Sequence, residues 1–270
     1  MKKSQLIYQY IREQGAVSKQ DIVIGLGLSL PTITQNLNNL AELGLIDTSK
    51  KISNTGGRNA TAYSYIEKAR YAVGLYLNRH HINCVAVDLS GNVISLIRVR
   101  ENFDLNDDNY LRKIGETVEE VKKDTGLSDD RFLGVGIAVQ GLISDDGERV
   151  TYGLTLNFTG VTRADIAKYI PYHNRLFHDS AAAGYAEVWD RNDLDDAFYL
   201  SLSNSVGGAV IVANKIFEGE RRKSGEIGHM TIIRSRRQML LWSQGLFDTV
   251  CRAMCLQNMR MVIWKSSLNY

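Results

Sequence analysis

Apolar residues recur at helical spacing at the start of the chain. From Gln5 to Glu13, Leu6 pairs with Tyr10 and Ile7 with Ile11 at i, i+4, which predicts a helix with one apolar stripe. Ser18 followed by Asp21 reads as a capping box opening a second short helix over Lys19 to Ile24, closed by Gly25 and Gly27. Ser29 caps a third helix, with Pro31 in its first turn, that runs to Leu43 and stops at Gly44. Leu45 and Ile46 begin a strand. Lys50, Lys51, Asn54, Gly56 and Gly57 form a basic hairpin tip, and Ala62 to Ile66 returns as a strand. Three short helices and a hairpin predict a winged helix-turn-helix over residues 1–66.

The period changes from residue 71. Tyr71 to Leu77, Ile82 to Asp88 and Asn92 to Arg100 read as strands, split by Asn-Arg-His-His and Ser-Gly-Asn turns. Asn109 to Thr125 reads as an amphipathic helix and Leu133 to Val139 as a buried strand. A short helix over Arg163 to Tyr169, a strand at Leu176 to Phe177 and a helix over Ser180 to Trp189 follow. Phe198 to Leu202 and Gly207 to Ala213 read as a hairpin around Gly207 and Gly208. This order predicts an α/β, actin-like (ribonuclease-H-like) fold, its first lobe at 67–196 and its second from 197 to 270.

Composition adds little until it is divided. The chain is 44% hydrophobic and 23% charged with net charge +2, the profile of an ordinary globular protein. Residues 1–66 carry seven Lys or Arg against four Asp or Glu, and the remainder 25 against 26, so the basic excess lies at the N-terminus. Cys84, Cys251 and Cys255 give no even disulfide framework, which points to a reduced cytoplasm. With no signal-peptide core and no long apolar run, no membrane partner is expected.

The polar face of the third helix narrows the function. Ile33, Leu37 and Leu40 turn inward, leaving Thr32, Gln35, Asn38 and Asn39, short hydrogen-bonding side chains suited to base edges in a major groove. Lys50 and Lys51 would hold the backbone, and Arg58, after two glycines, reaches a phosphate or a narrow minor groove. The partner this predicts is double-stranded DNA.

Several strings from about residue 4 to 230 resemble the ROK family of repressors, open reading frames and sugar kinases. They are GVGIAVQGLISDDG at 134–147, LNFTGV at 156–161, HDSAAAGYAE at 178–187 and VGGAVIVANKIFEGERRKSGEIGHM at 206–230. The N-terminal module resembles the repressor branch, whose members bind operator DNA as dimers or higher oligomers under control of a sugar or a partner protein. The resemblance implies a small sugar as ligand, held by Asn157, Asp179, Glu226 and His229. Asp179 stands where kinase members keep the base that accepts the sugar hydroxyl proton. It also reads as a helix N-cap.

Two departures from the family matter. ATP-binding members have an Asp-x-Gly-Gly-Thr turn after the first strand, whereas this chain has Leu77-Asn78-Arg79-His80, and Leu202 to Gly208 is poor in glycine. No catalysis is expected, because the backbone cradle for phosphates is lost. The family's Gly-His is followed by Cys-x-Cys-Gly-x-x-Gly-Cys, a tetrahedral zinc site with that His. Here no cysteine lies between Cys84 and Cys251. Gln238 to Phe247 can be back-translated so that a one-base shift reads Arg-Cys-Tyr-Cys-Gly-His-Lys-Gly-Cys. A two-base shift after Asn258 reads Ala-Asp-Gly-Asn-Leu-Glu-Glu-Phe-Phe-Glu-Leu. Frameshifts near 235, 247 and 259 are the expectation, with the sequence aberrant after about 233, the last shift truncating the chain and the second lobe incomplete. His229 would then bind zinc only with the cysteine motif restored. As written no cofactor is expected, and His229 is a sugar-facing or buried polar group.

The chain thus reads as a sugar-responsive repressor of a carbohydrate-utilisation operon, homodimeric or larger if intact. Its rivals are a non-functional remnant of such a repressor and a sugar kinase.

Overall fold

A computed structural model describes residues 2–52, 60–190, 195–202, 206–220, 222–230 and 262–264. Arg58, Cys251, Cys255 and the positions near 235, 247 and 259 where frameshifts are expected lie outside these residues. The chain divides into two compact units. One holds residues 1–71 with 88–92 and 128–132, and the other holds the remainder.

The first unit opens with α1 (Lys3–Gln14), α2 (Lys19–Leu26) and α3 (Leu30–Glu42). Their boundaries follow local chemistry. The Ser18 hydroxyl accepts from the Asp21 amide and the Asp21 carboxylate accepts from the Ser18 amide, so two orphan donors at the start of α2 are satisfied reciprocally. Ser29 caps α3 through the Thr32 amide, and Pro31 sits where a missing N–H costs nothing. Ile7, Ile11, Ile22, Ile33, Leu37 and Leu40 close one core between the three helices.

Two short ladders follow, β1 (Ile46–Asp47) with β4 (Ser64–Tyr65) and β2 (Lys51–Ile52) with β3 (Ala60–Thr61), all antiparallel. The expected single strand over Ala62 to Ile66 is therefore broken. Its middle is held differently, since the Ala62 amide donates to the Lys50 carbonyl and Tyr63 exchanges both backbone bonds with Val17. The two outlying segments join this unit through Tyr65 Oη to Ser90 Oγ at 2.7 Å and Arg131 to the Lys68 carbonyl at 3.2 Å.

The second unit is built on a five-stranded sheet of β5 (Tyr71–Leu77), β6 (His81–Asp88), β7 (Val93–Arg100), β8 (Phe132–Val139) and β11 (Asn174–His178), in the order β11-β8-β5-β6-β7. Between them come α4 (Asp108–Asp124), the small hairpin of β9 (Leu142–Ile143) and β10 (Val150–Tyr152), and α5 (Arg163–Ile166). After β11 come α6 (Asp179–Asp190), β12 (Ala197–Leu202), β13 (Val206–Val212), β14 (Lys215–Phe217) and β15 (Val262–Trp264), the strands ordered β14-β13-β12-β15.

Three expectations are corrected here. The helix at 163 ends at Ile166 rather than Tyr169, because Ala167 leaves helical backbone and the Ile170 amide closes a tighter turn onto the Ala167 carbonyl. Gly207 and Gly208 are not a turn. They pair within the ladder, opposite Ser201 and Leu200. Leu133 to Val139 is buried more deeply on one face than on the other. Val135, Ile137 and Val139 are buried, as are Val73, Leu75 and Leu77 of β5 and Ile82, Cys84 and Ala86 of β6, whereas the residues between them are half-buried.

Leu37 sits at the centre of the helical core with 1% of its surface exposed. Leu37→Ala is expected to destabilise the first unit by about 2–5 kcal/mol. Urea unfolding followed by circular dichroism measures this, and a change below about 1 kcal/mol would contradict the packing described.

Candidate functional site

The first unit presents its polar helix face to solvent. Gln35, Asn38 and Asn39 are exposed on α3, opposite the buried Ile33, Leu37 and Leu40. Thr32 is half-buried, and its hydroxyl is already bonded to Ser29 Oγ at 2.9 Å, so it serves the cap as well as the face. Lys50 and Lys51 are exposed at the start of the hairpin.

The second unit gathers two carboxylates and two imidazoles. β11 runs parallel to β8 and delivers His178 at its end, and Asp179 opens α6 directly after it. Glu226 and His229 arrive on the turn after β14. Glu226 bridges the two imidazoles, Oε1 lying 3.5 Å from His178 Nε2 and Oε2 3.5 Å from His229 Nε2. His178 Nε2 is also 3.6 Å from Asp179 Oδ1. Close backbone approach makes this meeting possible. A Cβ on Gly184 of α6 would stand 2.7 Å from the Ala209 Cβ of β13, and one on Gly225 would collide with the Gly208 carbonyl.

Electrostatics distinguishes the members. Burial pushes the Asp179 carboxyl above the ordinary range, opposed by the His178 charge and by the Ser180 amide and hydroxyl that donate to it. Tyr76 is raised too, first by burial and then by the Asp179 charge. Its hydroxyl accepts from Gln140 Nε2 at 3.3 Å. His229 is 59% exposed at its side chain, so it is not the buried polar group considered from sequence. A cavity of about 100 Å³ adjoins His178 and Glu226, with Arg175, Glu218 and Arg222 on its wall. Arg222 ties the turn down, its Nε 3.1 Å from both Asp145 Oδ1 and Glu218 Oε2.

The structure thus brings Asp179, Glu226 and His229 together and adds His178, which sequence reasoning missed. The available signal was its place in the string HDSAAAGYAE. Asn157 adopts left-handed backbone in the loop before Phe158, with φ of 55°, and among the described contacts none joins it to this cluster.

The turn after β5 is closed on itself. Asn78 Oδ1 accepts from the His80 and His81 amides at 3.0 and 2.9 Å, and the Asn78 amide donates to the His81 carbonyl. The N–H groups that an anion would need are engaged already. Zinc does not fit the described residues either. Among the described residues no group of three His, Cys, Asp or Glu is placed to hold a metal ion, and Cys84 is buried in the sheet.

Known proteins locate this architecture. The sequence pattern of the ROK family matches residues 72–255. The chain is 24% identical over 233 residues to the xylose repressor of Bacillus subtilis (strain 168), covering 84% of this chain and 59% of that protein. It is 22% identical over 251 residues to the DNA-binding transcriptional dual regulator NagC of Escherichia coli (strain K12), covering 85% and 57%. The chain therefore spans less than two thirds of these relatives' length. Among solved structures, a ROK family transcriptional regulator described as a homolog of the E. coli MLC protein superposes with a TM-score of 0.73 at 20% identity, over 92% of this chain and 63% of that one. A ROK family glucokinase from Streptomyces griseus, in complex with glucose and AMPPNP, superposes with a TM-score of 0.54 at 19% identity, over 66% and 56%. At these identities the structural likeness speaks for the fold. The family match spans more than half of the sequence, and on that match the chain belongs to the ROK family.

Proposed function

We propose that the protein is a sugar-responsive, DNA-binding repressor of a carbohydrate-utilisation operon. The observation that carries this reading is the combination of an exposed Gln35, Asn38 and Asn39 face on a capped helix with the carboxylate–imidazole cluster of Asp179, Glu226, His178 and His229 in the ROK unit. In this reading residues 1–66 form a winged helix-turn-helix. Thr32, Gln35, Asn38 and Asn39 read bases while Lys50, Lys51 and Arg58 hold phosphates. Residues 67–196 and 197–270 form the two lobes of the sensor, the second incomplete, and oligomerisation pairs half-sites. The relatives named for xylose repression and transcriptional regulation support this role. The engaged amides of the Asn78 turn support a protein that transfers no phosphoryl group, against the sugar-kinase rival.

Duplex DNA retention is expected to fall steeply with salt. Lys50→Ala and Lys51→Ala should each flatten the salt dependence by about one unit of slope, whereas Gln35→Ala should cost about 1–3 kcal/mol on the preferred sequence and relax its selection. Fluorescence anisotropy against a selected operator and a scrambled duplex separates the two effects. Equal losses on both duplexes for Gln35→Ala would remove α3 from base reading.

The polar cluster is expected to bind a monosaccharide through its hydroxyls. Titration calorimetry with xylose, glucose and N-acetylglucosamine tests this. Glu226→Gln and Asp179→Asn should each weaken the sugar that binds by about tenfold or more. Binding that is unchanged in both variants would place the sugar elsewhere.

A second reading, a decayed remnant, is favoured by the shifted-frame cysteine motif beginning at Gln238. Resequencing the DNA that encodes residues 230–270 and beyond decides it. A continuous frame bearing Cys-x-Cys-Gly-x-x-Gly-Cys after His229 restores an intact zinc-containing repressor, and an unchanged frame leaves His229 without thiolate partners.

A further inference from the structure

Glu226 joins the two imidazoles of the polar cluster, and its place is set by the turn that begins after Phe217. That turn closes on itself. The Ser224 hydroxyl donates to the Phe217 carbonyl and the Ser224 amide to the Glu218 carbonyl. The Arg222 amide donates to the Gly219 carbonyl and the Glu226 amide to the Lys223 carbonyl. These bonds leave few independent motions between Arg222 and Glu226, so an anchor on the first also holds the second.

Arg222 is such an anchor. Its Nη1 donates to the Ser144 carbonyl at 3.2 Å and its Nη2 to the Asp145 carbonyl at 3.3 Å. Its Nε lies 3.1 Å from both Asp145 Oδ1 and Glu218 Oε2. A planar guanidinium serves partners on several sides at once, whereas an ammonium is a single point. Ser144 and Asp145 belong to the turn between β9 and β10, and that turn is itself tied to β11. Arg175 donates to the same Asp145 carbonyl at 3.4 Å and packs where a Cβ on Gly147 would stand. The backbone at Arg222 is left-handed, with φ of 52°, which a non-glycine residue holds only where its surroundings fix it. Here the side-chain contacts fix it.

The turn is therefore held from two sides, by Gly225 against the Gly208 carbonyl and by Arg222 against Ser144 and Asp145. Both sides matter, because the contacts of Glu226 with His178 and His229 are 3.5 Å long and a shift of about 0.5 Å carries them to the limit of an ion pair. Arg222 and Glu226 both line the cavity of about 100 Å³, but all three guanidinium nitrogens are already engaged. We propose that Arg222 is a positioning residue: clamped on Ser144 and Asp145, it holds Glu226 against both imidazoles and sets ligand affinity without itself binding the ligand. The effect on affinity rests on the reading of the cluster as the sugar site, and the clamp on Glu226 does not.

The test therefore reads the cluster first without sugar. In the isotope-labelled full chain, the ring-nitrogen resonances of His178 and His229 report the carboxylate beside them. Arg222→Ala should shift both in the direction that Glu226→Gln shifts them, and Arg222→Lys should do so in part. Added guanidinium, which refills the space left by Arg222→Ala, should return both resonances toward their original places and should do nothing in Glu226→Gln. A residue that only stabilised the fold would show no such rescue. Asp145→Asn, which keeps the carbonyl and removes one charge, should give a smaller shift of the same sign and serves if Arg222→Ala does not fold. Resonances of His178 and His229 that stay in place in Arg222→Ala or in both Arg222→Lys and Asp145→Asn, or that guanidinium leaves displaced, overturn the proposal. Calorimetry with the sugar that binds should show affinity about tenfold lower in Arg222→Ala, recovered by guanidinium. Affinity lost in Glu226→Gln but intact in Arg222→Ala overturns the proposal as well. Affinity intact in both variants removes the sugar from this cluster, and the ring resonances then decide the clamp by themselves.

Discussion

The polar cluster exists because three backbones come within a side chain's width of one another. Gly184 lets α6 press on Ala209 of β13, and Gly225 lets the turn after β14 lie against the Gly208 carbonyl. Interposing even a methyl group at these points would move Glu226 away from His178, and the 3.5 Å link between them is near the limit of a useful ionic contact. The glycines that make the string VGGAVIVANKIFEGERRKSGEIGHM recognisable are therefore mechanical. They supply the proximity, and the Glu and His at the end of the string supply the chemistry.

Within the cluster, burial and charge oppose each other. Asp179 loses hydration, which favours its neutral form, while the adjoining imidazole and the Ser180 donors favour the anion. A carboxyl balanced in this way can accept from a hydroxyl or a protonated imidazole without leaving a buried charge unpaired. Glu226 divides its two oxygens between the imidazoles, so each ring is oriented by an acid. The dependence is geometric throughout, because no pair in the cluster is shorter than 3.5 Å and small displacements decide which contacts survive.

How much of this was legible follows from how local each signal is. Ser18, Asp21 and Ser29 fix helix starts through partners three residues away, and the sequence pattern located α1, α2 and α3 to within a few residues. The two- and three-residue strands β9, β10 and β14 escaped, because so few residues carry no period. His178 escaped because its role depends on β11 pairing with β8, some forty residues earlier, and on Glu226 nearly fifty later. Asp179, Glu226 and His229 were found through strings resembling a family rather than through spacing. Asn157, found the same way, has no described contact with them.

The Asn78 turn and Asp179 show how one fold can keep half of a chemistry. Phosphoryl transfer needs a base at the sugar hydroxyl and a set of free amides at the phosphates, and here these lie on different elements, the β11–α6 junction and the turn after β5. Substituting the turn leaves the acid in place. Asn78 then draws the His80 and His81 amides to its own carbonyl oxygen, which satisfies donors that would otherwise await an anion. An acid at Asp179 with no phosphate held nearby can still accept a hydroxyl hydrogen bond, which is the role the proposed function gives it. Tyr76 lies between the two elements, interacting with Asn78 of the turn and with the Asp179 charge.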